Sequence, residues 1–443
     1  MSFYTNFYLK LFLCYNGWVM AKIIVEKSEG LEGVVQISGA KNAVLPLLAA
    51  TLLTDEPCVL AGVPVLKDVD VMCRLLECFG VEVEKGVEAA QLQVCAKTIS
   101  SNIAPTELVK AMRASIVAMG PLIARTGSAG APLPGGCAIG DRPIDLHVKG
   151  FRSLGAKVMI ESRENADDFI RAEAGRLKGA EIYLDFASVG ATENIMMAAT
   201  LADGPTIIEN AAQEPEIVDL ANFLNKMGAK IRGAGTDTVR IDGVEKLHGA
   251  EHAIIPDRIE AGTFMLAAAI TCGDILIENV LPNHVVPVIA KLRETGVYVR
   301  EAFGGVNVDA SRNMLKATDL KTLPYPGFPT DIQPQFMAFL ATVEGPSTVI
   351  ETVFENRFMH IRELNRMNAG IVEKGRRASI PGDAVLKGAE VCATDLRAGA
   401  ALILAGLAAE GRTIISGIHH IDRGYEDLTG KLAKIGANIW RSE

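Results

Sequence analysis

The sequence predicts an α/β protein of two domains, each assembled from three copies of one α/β unit. Three observations predict it. A helical run that ends in a turn and passes into a β-rich run occurs six times: Phe79-Gly80-Val81-Glu82-Val83, Leu154-Gly155-Ala156-Lys157-Val158, Met227-Gly228-Ala229-Lys230-Ile231, Thr295-Gly296-Val297-Tyr298-Val299, Met367-Asn368-Ala369-Gly370-Ile371 and Ile435-Gly436-Ala437-Asn438-Ile439. The turn residues 80, 155, 228, 296, 368 and 436 are spaced by 75, 73, 68, 72 and 68 positions, too long for solenoid repeats of ~20–50 residues. The chain of 443 residues also exceeds what one hydrophobic core usually supports.

Taken in order, each unit reads as helix, strand, helix, strand, strand. Residues 34–38 form a strand, and Lys41-Asn42 then opens a helix whose alanine-rich body is 43–53. Comparable alanine-rich helices fall at 194–201, 264–270 and 399–408. Short β-branched strands follow, at Thr206-Ile207-Ile208, Ile275-Leu276-Ile277, Thr348-Val349-Ile350 and Thr413-Ile414-Ile415. A second helix ends at the turn residue, where glycine takes the left-handed conformation without steric cost. Asn368 is the next most tolerant residue there and is expected to be structurally neutral.

Between the third and fourth units, residues 243–256 form the boundary. They include His248-Gly249-Ala250-Glu251-His252, formally a zinc pattern. That pattern needs a helix to bring both imidazoles to one face. Gly249 and the extended run Ala253-Ile254-Ile255-Pro256 oppose one, so a solvated linker is expected.

Composition narrows the function. With 49% hydrophobic and 22% charged residues the chain is globular, and a net charge of -9 argues against a nucleic acid or anionic membrane as main partner. Eight cysteines without a C-x-x-C are neither a disulfide framework nor a zinc site, which fits a reduced, cytoplasmic protein. Residues 1–19 stand apart, with Phe3, Tyr4, Phe7, Tyr8, Phe12, Tyr15 and Trp18 crowded together. The segment is too short and interrupted to span a bilayer. It reads as a non-native or disordered extension, with Met20 the physical start.

Two patterns carry chemistry. Residues 132–147, Pro-Leu-Pro-Gly-Gly-Cys-Ala-Ile-Gly-Asp-Arg-Pro-Ile-Asp-Leu-His, are too rich in Pro and Gly for a helix or central strand and form a long loop. Its Cys137 has Arg142 nearby to favour a thiolate, although the stretch alone also suits a surface turn with an incidental cysteine. Lys41-Asn42, Asp257-Arg258, Asp331, and Asp395 with Arg397 all sit where a strand gives way to a helix. Each alone is an ordinary first-turn residue or N-cap. Recurrence of Lys, Arg and Asp at that place in several units points to an anionic ligand. No phosphate-binding glycine loop, dinucleotide fingerprint or nucleophile elbow is present.

Gly39-Ala40-Lys41-Asn42-Ala43, Met112-Arg113-Ala114-Ser115, residues 133–147, Ser188-Val189-Gly190-Ala191-Thr192, Phe328-Pro329-Thr330-Asp331, Phe354-Glu355-Asn356-Arg357-Phe358, Ala393-Thr394-Asp395-Leu396-Arg397 and His420-Ile421-Asp422-Arg423-Gly424-Tyr425 together closely resemble the UDP-N-acetylglucosamine 1-carboxyvinyltransferase family. The resemblance runs from Met20 to the C-terminus. It implies an inside-out α/β barrel, the fold shared with 5-enolpyruvylshikimate-3-phosphate synthase. Residues 42–255 would form a catalytic domain carrying the Cys137 loop, and 20–41 with 256–443 a second domain, with a cleft between them.

The implied reaction moves the enolpyruvyl group of phosphoenolpyruvate onto the 3-hydroxyl of UDP-N-acetylglucosamine and releases phosphate, the first committed step of peptidoglycan synthesis. By the same resemblance, Cys137 and Asp331 are catalytic. Cys137 is the general acid and can bond covalently to phosphoenolpyruvate; Asp331 accepts or positions the hydroxyl proton. Lys41, Asn42, Arg142, Arg397 and Arg423 surround phosphoenolpyruvate. Arg113, Arg142, Pro143, Ile144, Asp145, Leu146, Asp331 and Val353 contact the nucleotide sugar, as does Asn42, while His147 and Glu214 are carried over less directly, as either contacts of the sugar or braces of the pocket. No cofactor, metal, nucleic acid or membrane is implied, and the sequence gives no oligomeric state.

The chain departs from the family's pattern where Phe186 and Ala187 precede Ser188, since members often carry Lys two residues before that serine. The uridine end is then expected to rely on stacking or backbone contacts. The shikimate-pathway synthase shares fold and donor, but the cysteine on the Pro-Gly-Gly loop favours the sugar enzyme. A non-catalytic nucleotide-sugar sensor would lack Cys137, Asp331 or Arg397, and all three are present.

Overall fold

Six inner helices set the architecture, Lys41–Ala50, Met119–Thr126, Val189–Ala199, Arg258–Ile270, Gln333–Leu340 and Leu396–Ala408, all apolar on nearly every face except Met119–Thr126, which is buried over its first five residues. All-round apolarity marks a helix enclosed by other elements. The computed structural model describes residues 21–133, 144–162 and 167–442. Within these, six outer helices carry one apolar and one charged face: Lys67–Cys78, Asp145–Ser153, Pro215–Lys226, Val286–Glu294, His360–Arg366 and Leu428–Lys434.

Each outer helix ends at one of the six repeated turns. All six turn residues have positive φ, from +73° at Asn368 to +103° at Gly228. The amide following each turn residue reaches back to the helix, as Val81 N–H to Leu76 C=O at 3.1 Å and Ala369 N–H to Leu364 C=O at 3.1 Å. This closure satisfies carbonyls the helix end would otherwise leave open. Asn368 fits because its amide also donates to Val385 C=O at 3.0 Å.

Five four-stranded sheets and one three-stranded sheet lie against the helices among the described residues. The chain's ends are sewn into its later units. Lys22–Glu26 runs antiparallel between Arg412–Ser416 and Ile439–Ser442, and Glu32–Gln36 runs parallel to Asp274–Glu278. Buried side chains form two cores: one from Ala40 to Ile254, the other from Ile23–Ile37 and Ile259–Ile439.

The chain passes between these cores twice, and the passages are hydrogen-bonded to each other. Ala40 N–H donates to Ile255 C=O at 2.8 Å, and Asp257 N–H to Ser38 C=O at 2.9 Å. The Glu260 carboxylate braces them, accepting from Ser38 N–H at 2.8 Å and Lys431 Nζ at 2.6 Å. Burial pushes the Glu260 carboxyl up to about 7 against the pull of Lys431.

Two local expectations are corrected. Residues 243–256 are not a solvated linker: Leu247, His252 and Ile254 are buried. Glu251–Ala253 adds a parallel edge strand to Cys58–Ala61, which turns His252 inward, where its Nε2 meets Asp219 Oδ1 at 2.8 Å. The loop expected over 132–147 is also shorter, because Ser128–Pro132 is a strand and a helix starts at Asp145. Residues 1–20 and 134–143 lie outside the described residues, and with them the expectations for the 1–19 extension, Cys137, Arg142 and Pro143.

Gly39 lies where the passages touch. A Cβ there would stand 2.0 Å from the Gly62 carbonyl oxygen and 3.3 Å from Pro64 Cδ. Gly39→Ala is therefore expected to cost about 1–3 kcal/mol in denaturant unfolding, the range for overpacking against a neighbour that cannot yield. Asn368→Gly is expected to change stability by less than about 1 kcal/mol, strain relief offsetting chain entropy.

Candidate active site

Charged side chains from both cores meet beside the two passages. Lys41 is the first residue of its helix, and its backbone N–H donates to Asp257 Oδ2 at 3.2 Å. Its Nζ lies 2.8 Å from Asp68 Oδ2, and Asp68 is buried at the start of Lys67–Cys78. From the other core, Arg423 closes on the same carboxylate, with Nε 2.8 Å from Oδ1 and Nη2 3.3 Å from Oδ2. One buried anion thus serves two cations. Burial pushes the Lys41 ammonium below its ordinary value, Asp68 opposes that, and Arg397 and Arg423 push it further down.

A second carboxylate collects two guanidiniums. Asp331 Oδ1 accepts from Arg357 Nη2 at 2.9 Å, and Oδ2 accepts from Arg397 Nη2 at 3.1 Å and Nε at 3.2 Å. Asp395 N-caps the helix carrying Arg397, accepting from Arg397 N–H at 2.9 Å and Ala398 N–H at 3.1 Å, and lies 3.4 Å from Arg357 Nη1. Arg397 is buried over the Tyr425 ring, 5.4 Å from its centroid. Burial works to lower its pKa, but Asp331, Tyr425 and Asp257 raise it on balance, so the charge is secure. Its Nη1 is buried with no hydrogen-bond partner among the described residues. A buried guanidinium N–H left unpaired is costly unless an anion takes it.

A third group is richer in acid than base. Arg258 Nε contacts Glu216 Oε1 and Oε2 at 3.0 and 3.3 Å, and the guanidinium lies 5.6 Å from the Tyr325 ring centroid. Burial raises the Glu214 carboxyl. It raises the buried Glu193 carboxyl much further, helped by Glu216 and Glu214. Among the described residues no three His, Cys, Asp or Glu side chains gather as metal ligands.

Sequence and structure comparisons then place the chain among known proteins. The EPSP synthase (3-phosphoshikimate 1-carboxyvinyltransferase) family matches residues 25–432. The chain belongs to this family. UDP-N-acetylglucosamine 1-carboxyvinyltransferase 1 of Caldanaerobacter subterraneus subsp. tengcongensis is 59% identical over 420 residues, covering 95% of this chain and 99% of that protein. UDP-N-acetylglucosamine 1-carboxyvinyltransferase of Finegoldia magna is 56% identical over 427 residues, covering 96% and 99%. Among solved structures, the enolpyruvyl transferase NikO from Streptomyces tendae superposes with a TM-score of 0.84 at 25% identity, covering 96% of this chain and 99% of that one. The EPSP synthase of Acinetobacter baumannii, at 20% identity and a TM-score of 0.75 over 96% of this chain and all of that one, shares the fold.

Within this family member, Lys41, Asp331, Arg397 and Arg423 from the sequence reading come together. Val353 joins the rim, its N–H donating to Glu351 Oε1 at 2.8 Å while Thr330 Oγ1 donates to Oε2 at 3.0 Å. Asn42 follows Lys41 in the helix. Arg113 opens the turn Arg113–Ala118 beside His147, whose ring it pushes toward the neutral form after burial has done most of that. Ile144, Asp145 and Leu146 lead into Asp145–Ser153, with Asp145 exposed. Glu214 precedes Pro215–Lys226 and faces the Arg258 group.

Sequence reasoning missed Asp68, Glu216 and any role for Arg357. Asp68 and Glu216 resemble any acid in a helical first turn. Arg357 lies in a quoted motif, but its neighbours in sequence do not reveal that it faces Asp331.

Asp68→Asn removes the anion shared by Lys41 and Arg423. Breaking a buried pair from one side is strongly destabilising, and with Arg423 partly exposed a loss of about 2 kcal/mol at pH 7 is expected. Added inorganic phosphate should recover more of the melting temperature in this variant than in the wild type.

Proposed function

We propose that this protein transfers the enolpyruvyl group of phosphoenolpyruvate to the 3-hydroxyl of UDP-N-acetylglucosamine and releases phosphate, the first committed step of peptidoglycan synthesis. The observation that carries this reading is the convergence of Lys41, Arg397 and Arg423, with an unpartnered guanidinium N–H, next to the Asp331 carboxylate. Phosphoenolpyruvate is a small, densely anionic ligand, and such clustering of cations binds it and stabilises charge that develops on it. Relatives named for this reaction, 54–59% identical over nearly their full lengths, support the choice of acceptor.

In the addition step the sugar 3-hydroxyl oxygen bonds to C2 of phosphoenolpyruvate. Its proton leaves toward Asp331, and the CH2 carbon gains a proton, supplied by Cys137 in this reading. In the elimination step the new methyl group returns a proton, the double bond reforms and phosphate departs from C2. Lys41, Arg142, Arg397 and Arg423 hold the phosphate and carboxylate throughout, with Asn42 beside them. Arg113, Arg142, Pro143, Ile144, Asp145, Leu146 and Val353 hold the nucleotide sugar.

The same reading assigns 42–255 to a catalytic domain and 20–41 with 256–443 to a second, together an inside-out α/β barrel. The two cores and the apolar helices enclosed by sheets support it. We place the protein in the cytoplasm; among the described residues no helix is long and apolar enough to cross a membrane.

Phosphate release from phosphoenolpyruvate with UDP-N-acetylglucosamine as acceptor tests the reading. The wild type is expected to turn over this acceptor and not shikimate 3-phosphate; no product with the sugar would overturn it. Cys137→Ala should reduce turnover by roughly 10²-fold or more, the scale of a lost general acid, while Cys137→Asp should retain part of it because a carboxylic acid can also donate.

A further inference from the structure

We propose that Asn194 is a positioning residue for nucleotide-sugar binding: its side-chain amide holds His147 as the neutral ring protonated on Nε2 and ties together the segments around the sugar site. The ligand part of this inference rests on the functional reading above; the ring's tautomer does not.

Asn194 is fully buried in Val189–Ala199, the helix that Ser188 caps. Its Oδ1 accepts from Gly120 N–H at 2.6 Å, and its Nδ2 donates to Ile116 C=O at 2.9 Å. Backbone groups cannot exchange these roles, so the orientation of the amide is fixed. The second Nδ2 hydrogen is left for His147 Nδ1, 3.0 Å away. That nitrogen must therefore present its lone pair, and the ring proton resides on Nε2. A doubly protonated ring would set donor against donor. Burial, then the nearby Arg113 charge, push His147 down to about 4, so the ring is neutral at pH 7.

This single amide ties its own helix to three further elements, one of them Met119–Thr126 through Gly120. Ile116 belongs to the turn Arg113–Ala118 that begins with Arg113. His147 sits in the first turn of Asp145–Ser153, directly after Ile144-Asp145-Leu146. The Nε2 edge of its ring faces Gly190, where an added Cβ would lie 3.5 Å from Cε1 and 3.6 Å from Nε2. The elements meet this closely because Gly120 and Gly150 lack side chains. A Cβ on Gly120 would stand 2.3 Å from the Asn194 carbonyl oxygen, and one on Gly150 2.3 Å from Ile195. No other side chain suits position 194. Aspartate has no donor, leucine no polar atom, and glutamine one methylene too many for a closed space.

Long-range proton–nitrogen NMR spectra of histidine-labelled wild-type protein at pH 7, with His147 assigned by its loss in His147→Gln, read the tautomer directly. A protonated Nε2 and bare Nδ1 are expected. A proton on Nδ1, or on both nitrogens, overturns the proposal whatever the activity. Asn194→Asp preserves shape but removes both donors. It is expected to move a proton onto Nδ1 and to weaken UDP-N-acetylglucosamine binding about tenfold by calorimetry, the scale of one to two lost hydrogen bonds, with kcat changing less. If circular dichroism shows that variant unfolded, Asn194→Ser is measured instead. Unchanged affinity in a folded variant overturns the positioning role. A wild type that binds no UDP-N-acetylglucosamine defeats the functional reading and the ligand half of this proposal, while the ring spectrum still decides the tautomer.

Discussion

The site depends on a buried carboxylate shared by two cations from opposite cores. Burial depresses the Lys41 ammonium, Asp68 opposes that, and the nearby Arg397 and Arg423 charges depress it further. Without Asp68 nothing among the described side chains would hold Lys41 and Arg423 together before a ligand arrives. The same carboxylate crosses the gap between the cores, so the geometry of the anion site and the approach of the two halves are one constraint. A buried pair of this kind is weak evidence of net stability, since desolvating the charges offsets most of their attraction. Its effect is placement: the two cations are already gathered, so that in the proposed function less ordering remains to be done when a polyanionic ligand binds.

Asp331 extends this logic to a second carboxylate, the one that the proposed function puts at the reacting centre. Its two oxygens are shared between Arg357 and Arg397, an arrangement that fixes where its lone pairs point. Arg357 is braced in turn by Asp395, which also caps the Arg397 helix. Carboxylate oxygens shared in this way by guanidiniums are held in one orientation. That suits a group which, in the proposed reaction, must take a hydroxyl proton only when the oxygen is already attacking.

Much of this was legible in the sequence, and the illegible parts have a common cause. The six turns were visible because a left-handed helix end demands Gly or Asn whatever surrounds it, and all six residues adopt positive φ. Lys41, Asp331 and Arg397 were visible because their places recur between units and their motifs resemble a known family. Asp68 was not, because its partner Arg423 lies 355 positions away and no local pattern separates it from a solvated helical acid. His252 was misread for the same reason. Its burial comes from a strand pairing with Cys58–Ala61, a contact that periodicity within residues 243–256 cannot announce.

Repetition explains why the chemistry gathers where it does. Five of the six buried helices follow a strand in the chain, Met119–Thr126 following the turn Arg113–Ala118 instead, and helix N-termini carry unsatisfied N–H groups and partial positive charge. At Asp257 and Asp395 the protein satisfies these groups with its own carboxylates, which accept the first amides of their helices. Two amides at each of these helix ends are thereby paired within the protein. The side chains these ends carry, Arg258 and Arg397, are enclosed and held by Glu216 and Asp331 respectively. At Lys41 the preceding residue is alanine, which supplies no cap, and the Lys41 amide borrows Asp257 from the other core instead. One aspartate therefore caps its own helix and positions the start of another, which ties a repeated local motif of one core to the other core. The repeated units thus begin their helices in unlike ways, with a carboxylate cap at Asp257 and Asp395 and none at Ala40, and this unlike capping makes copies of one motif chemically distinct.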